Sequence, residues 1–258
     1  MCLILFGIDV SPDVPFILAA NRDEFYTRPT RPMEFWPENS DLLAGKDLEA
    51  GGTWFGVSTQ GRFAALTNYR DLSTIKSKGP SRGEIIPCLL NFSGSIPAYL
   101  HTLDKDADQY SGFNLLAGEA GGPVHWYSNQ DRAVTKVAPG IHGLSNRFLD
   151  TPWPKVTRGK EKLAAIIRNA STDSDSLDNA LFSMLSDTFQ PHDRLLPDTG
   201  VGPEWERILA PLFIRSQTYG TRSSTIMRIS RTGKIKVKER TWGNSLENKT
   251  QDRVFTLT

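Results

Sequence analysis

CLILFGI (residues 2–8) and FILAANRDEF (residues 16–25) decide the fold. Each opens on an apolar run instead of alternating, as strands do when both faces of their sheet are covered. SPDVP between them is turn chemistry, so the pair reads as a hairpin buried on both faces. A cysteine stands directly behind the initiator methionine, and four polar residues, Asn21, Arg22, Asp23 and Glu24, follow the second run.

Further hairpins follow along the chain. TWFGVST and RFAALTNY (53–59, 62–69) make one, and GFNLLAGE and VHWYS (112–119, 124–128) another, with AVTKVA after it. STIMRIS and KIKVKER (224–230, 234–240) are joined by an RTG turn. Four helices are interleaved. SRGEIIPCLLN (81–91) opens on a Ser N-cap with Glu three residues on, and Pro87 predicts a kink or an early stop. SIPAYLHTLDKDADQY (95–110) spaces Ile96, Tyr99, Leu100 and Leu103 at helical period. TPWPKVTRGKEKLAAIIRNA (151–170) does the same with Val156, Leu163, Ile166 and Ile167, and SDSLDNALFSMLSD (174–187) with Leu177, Leu181, Met184 and Leu185. YRDLSTIKSKGPSRG (69–83) is a polar loop. Hairpins plus a helical block fit two sheets with helices outside, or one sheet with a helical layer.

Composition narrows the function. Of 258 residues 38% are hydrophobic, enough for a sizeable core, and nothing forces a split, so residues 1–258 read as a single domain. Thirty basic and 29 acidic side chains nearly cancel, which argues against nucleic acid or a polybasic membrane surface as the main partner. The two cysteines, Cys2 and Cys88, form neither a metal-ligand spacing nor a disulfide framework, which fits a reducing compartment. No apolar run is long enough to span a bilayer, and the expected location is the cytoplasm.

Cys2 carries the first chemical possibility. Removal of Met1 would leave it with a free α-amine, which titrates near neutrality and can serve as a base for the adjacent thiol. The bland alternative is a small buried residue opening a strand. Asp23 would return beside the start of the first strand and could orient that amine. Other apolar runs also end in amides and guanidinium groups: Asn68 and Arg70, Asn146 and Arg147, with Arg222 opening the last hairpin. An Asn at a strand end can donate to an oxyanion, although each alone is an ordinary turn residue.

MCLILF, LAANRDEF, GGTWFGV, ALTNYRD, GLSNRF and YGTRSST together resemble the NRDE family, also called the transport and Golgi organisation protein 2 family, over residues 1 to about 229. That family resembles the N-terminal nucleophile (Ntn) hydrolases, which implies an α+β fold, a four-layer αββα sandwich of two stacked antiparallel sheets flanked by helices. By comparison with cysteine Ntn enzymes such as choloylglycine hydrolases, the resemblance implies Cys2 as nucleophile, Asp23 as its partner, Asn68 as an oxyanion-hole donor, Asn146 as a second catalytic asparagine, and Arg222 as a guanidinium steadying the nucleophile. Asn21, Arg22, Trp54, Tyr69 and Arg70 are the expected ligand-binding residues. With Asp23 aligned, the motif's Arg falls on Ala20, so a guanidinium beside the thiol would have to come from Arg22.

The NRDE resemblance itself implies haem handling between cytoplasm and membranes, or acyl-type lipid metabolism. Haem would be a transported ligand and not a required cofactor, the partners being haem or an acyl-type small molecule and a transient membrane or haem-acceptor protein, with no nucleic acid. No metal site is expected. His101, His125, His142 and His192 are conventional axial ligand types, but none lies in an attachment motif. Met33, Phe35, Trp36, Trp54 and Phe55 could line an apolar pocket or simply form core. Two expectations result: a haem carrier, preferred because the motif arginine is displaced, and a cysteine hydrolase of amide or acyl bonds.

Overall fold

The computed structural model describes residues 2–76, 78–169, 175–243 and 250–257. Met1 and the helix flanks at 170–174 lie outside the described residues. In chain order the strands are β1 (Cys2–Ile8), β2 (Phe16–Phe25), β3 (Thr30–Trp36), β4 (Asn39–Asp47), β5 (Phe55–Ser58), β6 (Arg62–Asn68), β7 (Phe113–Glu119), β8 (His125–Ser128), β9 (Thr135–Lys136), β10 (Gly140–Leu144), β11 (Tyr219–Ile229), β12 (Ile235–Trp242) and β13 (Thr250–Leu257). The α-helices are α1 (Ile85–Leu90), α2 (Ile96–Lys105), α3 (Pro154–Asn169), α4 (Asp175–Leu185) and α5 (Pro203–Ile208).

The chain forms two compact units, and the first is discontinuous: residues 1–27, 138–145 and 149–256. Its sheet runs β10-β1-β2-β11-β12-β13. The expected hairpin is its centre, with Leu5 opposite Ala19 and Ile8 opposite Phe16. One face, Leu3, Leu5, Ile17, Ala19 and Ile226, packs on Val156 and Leu163 of α3 and on Leu177, Leu181 and Phe182 of α4. The alternate residues Ile4, Phe6, Leu18 and Met227 are buried too. Burial on both faces is why these strands are apolar throughout.

The second unit comprises residues 28–137, 146–148 and 257–258. Its sheet is a meander, β3-β4-β5-β6-β7-β8-β9. Leu42, Ala44, Ala64, Leu66, Leu115 and Ala117 form one core with Ile86 and Leu89 of α1 and Leu100 of α2. Ser81, the N-cap read from the sequence, accepts from the Gly83 amide at the start of a 3-10 turn that leads into α1, and Ser95 accepts from the Ala98 amide at the start of α2. α1 stops at Leu90, three residues beyond Pro87.

Three strands, β3, β4 and β13, and one helix escaped the sequence reading, while β10 was read as an apolar strand ending at Asn146. β3 holds Pro32 at a register shift on the sheet edge, where a missing amide costs no ladder bond. β4 is its partner, β10 is short, and β13 is a polar, largely exposed edge strand. α5 has only six residues, with Pro203 at its first turn.

Among the described residues, no helix is long and apolar enough to cross a membrane.

Candidate functional site

The expected site residues fall into two groups, one within each unit. In the first unit the pairing of β1 with β2 sets Cys2 directly opposite Arg22. Directly opposed residues in antiparallel strands share a face, so the Arg22 side chain lies on the thiol's side of the sheet. Ala20 and Arg22 are two apart and therefore share that face as well. The guanidinium displaced from position 20 thus returns to the same face one step along the strand.

Arg22 is buried and Cys2 partly buried. Burial pushes the Cys2 thiol up and Asp23 pushes the same way, while Arg22 and a hydrogen bond from the Asp23 amide oppose them. The net result is a thiol harder to ionise than an ordinary cysteine. Asp23 is almost wholly buried. Its Oδ1 accepts from the Thr221 hydroxyl at 2.7 Å, and its carbonyl from the Tyr219 hydroxyl at 2.9 Å. Burial raises the Asp23 carboxyl, and buried Lys155 on α3 partly offsets the shift.

Asn21 lies on the opposite, helix-bearing face. Its Nδ2 donates to the carbonyls of Leu185 and Leu212, both at 2.8 Å, and its Oδ1 accepts from the Ser224 hydroxyl at 2.6 Å. Both amide hydrogens and the amide oxygen are thereby used in joining β2 to the end of α4, the 212 loop and β11. Arg222 donates to the carbonyls of Phe25 at 2.8 Å and Tyr26 at 3.3 Å, tying β11 to the end of β2.

In the second unit, Asn146 is fully buried and its Nδ2 donates to the Asn68 carbonyl at 2.9 Å. The Arg70 amide donates to the Asn146 carbonyl at 2.7 Å. Register places Asn68 opposite Phe113, on the face that carries α1 and α2 with Leu66. The next pair, Thr67 and Asn114, is on the other face and is joined by a 3.1 Å hydrogen bond. Tyr69 is buried under the Arg147 guanidinium, 4.8 Å from its ring centre, and Arg70 is buried. Of the aromatic set, Met33, Trp36 and Phe55 are core, Phe35 is exposed, and Trp54 lies against Gly45.

Sequence reasoning missed Thr221, Tyr219, Lys155, Ser223 and Asn114. The first two stand immediately before Arg222 in YGTRSST, but strand β11 was read as starting at Ser224, which hid their pairing with β2.

The histidines are dispersed. His101 and His192 are exposed and His125 is buried in β8. His142 stacks on Phe6 and hydrogen-bonds Asp150 at 2.7 Å through Nδ1 and the Ala138 carbonyl at 2.9 Å through Nε2. Both ring nitrogens face acceptors, so the Asp150 bond raises His142 although burial opposes it. Burial works against ionised Asp150 too, yet His142, Lys160 and the Gly143 amide hold it down to about 2. The His142 contribution to stability is present below the unfolded pKa of about 6.5 and is lost as pH rises through its raised folded value. The Asp150 contribution is present above about 4 and is lost as pH falls toward 2. Urea midpoints of the wild type are expected to plateau between these limits, and His142→Ala should flatten the alkaline limb. An unchanged alkaline limb in the variant would show that this pair does not set it.

With this geometry in view, the solved structures define the class. Two variants of the conjugated bile acid hydrolase of Clostridium perfringens share the fold at 10% sequence identity. One has a TM-score of 0.54 over 98% of this chain and 92% of its own. The other has a TM-score of 0.50 over 100% and 97%. The fold is that of the Ntn hydrolases, the α+β class expected from the sequence. The model of the Transport and Golgi organisation 2 family matches residues 1–244, and the chain belongs to that family. It is 36% identical to the Transport and Golgi organization protein 2 homolog of Bos taurus over 93% of this chain and 92% of that one. The Homo sapiens homolog is 34% identical over the same shares.

Proposed function

We propose that the protein is a cytoplasmic carrier that binds haem reversibly at the Cys2 face of its first sheet and passes it to a membrane or acceptor protein. The observation that supports the reading is the pairing of Cys2 with Arg22 on one face of the first sheet, which sets a sulfur beside a buried cation. Arg22 on the same face suits a propionate, and its charge favours the thiolate that would ligate iron. Carriage needs release, so affinity in the micromolar range with fast exchange is expected. Titration with haem should give a saturable Soret change in the wild type. Cys2→Ala should alter the band, and bound haem should transfer to apomyoglobin. Absence of any spectral change would overturn the reading.

A second reading, hydrolysis of an amide or acyl bond, has its own support in the Asp23 amide donating to the Cys2 sulfur and in Arg22 facing it. It forecasts a mass adduct on Cys2 when methionine-free protein meets an activated amide or thioester. Cys2-dependent turnover without haem binding would make it the function.

A further inference from the structure

The pairing of β11 with β2 places Ser223 opposite Arg22, which is itself opposite Cys2. The three side chains form one row across three strands, on the face that does not carry α3 and α4. The neighbouring Ser224 confirms the sense of the row, since its hydroxyl bonds Asn21 on the helix-bearing face. Ser223 is 5% exposed. Its hydroxyl makes no hydrogen bond among the described residues. A buried hydroxyl without a partner is uncommon and awaits one. The next row on the same face adds buried Thr225 and Glu239, so this end of the face is polar as a whole.

We infer that Ser223 is a ligand-contacting residue that binds a second polar group of an elongated ligand whose first group lies at Cys2. Strand spacing sets the separation: two steps of 4.7–4.9 Å place the Ser223 and Cys2 backbones about 10 Å apart. The chemical class is an acyl-type molecule with a carbonyl, amide or hydroxyl at that distance. A ligand polar at one end only would leave the hydroxyl unpaired. The inference rests on Cys2 facing a ligand, whether that ligand is carried or cleaved.

Alkylation rates test it, with Cys88, exposed in the second unit, as an internal reference. The probes are iodoacetyl-glycinamide, whose second carboxamide reaches ~7 Å from the sulfur, and N-propyl iodoacetamide, of equal length without that group. In both, the Cys2 sulfur displaces iodide and its proton goes to solvent. The wild type should favour the glycinamide probe at Cys2 by about five- to tenfold, the range of one hydrogen bond, with no preference at Cys88. Ser223→Ala should abolish the preference and Ser223→Thr retain it. A wild type without preference, or a Ser223→Ala variant that keeps it, overturns the assignment while leaving Cys2 a ligand-facing thiol. A Cys2 inert to both probes in the folded wild type overturns the assignment and the Cys2 reading together.

Discussion

Asn21→Ala is expected to destabilise the protein by about 3–4 kcal/mol. Asn21 is fully buried, and its amide holds three partners 164, 191 and 203 residues away. Its removal strands two buried carbonyls, those of Leu185 and Leu212, each costing about 1–3 kcal/mol, and opens a small void. Asn21→Asp should be worse, because it turns a carboxylate oxygen toward those carbonyls. Urea unfolding followed by tryptophan fluorescence measures the change. A loss below about 1 kcal/mol would show that water or backbone movement replaces the amide.

Asp178→Ala should cost about 3–5 kcal/mol. The carboxylate is 2% exposed and meets Arg228 at 3.0 Å, Lys238 at 2.6 Å and Lys236 at 3.3 Å. The lysines keep exposed Asp175 as a partner, whereas Arg228, with a side chain only 8% exposed, loses a buried counter-charge. Breaking a buried pair from one side is the costly change, and replacing both members by apolar groups is not. The double variant Asp178→Leu with Arg228→Met should therefore recover most of the loss. A double variant as unstable as the single one would place the cost in packing instead.

The first hairpin was legible because burial on both faces writes itself as an unbroken apolar run, as in CLILFGI and FILAA. The cap at Ser81 was legible because capping is local. β3, β4 and β13 were not, since edge and bulged strands mix polar residues and even Pro32 into the pattern. At the candidate site, Cys2, Arg22 and Asp23 could be named, but which face each occupies depends on register. Register turned Arg22 toward the thiol and Asn21 away from it. Ser223 was invisible for the same reason: nothing local distinguishes it from Ser224, one residue on and facing the other way.

The placing of β2 between β1 and β11 also fixes a timetable. Asp23 and its partner Thr221 are 198 residues apart in the chain. At a synthesis rate of about 5–20 residues per second, the first hairpin leaves the ribosome roughly 10–40 s before its other neighbour strand exists. During that interval the β2 edge, with Arg22 and Asp23, has no β11 to pair with, and a long-range sheet of this kind is slow to close. The Cys2 face is started long before it is finished, so a nascent chain carries an open apolar edge beside Cys2 for that interval, the kind of surface that chaperones cover.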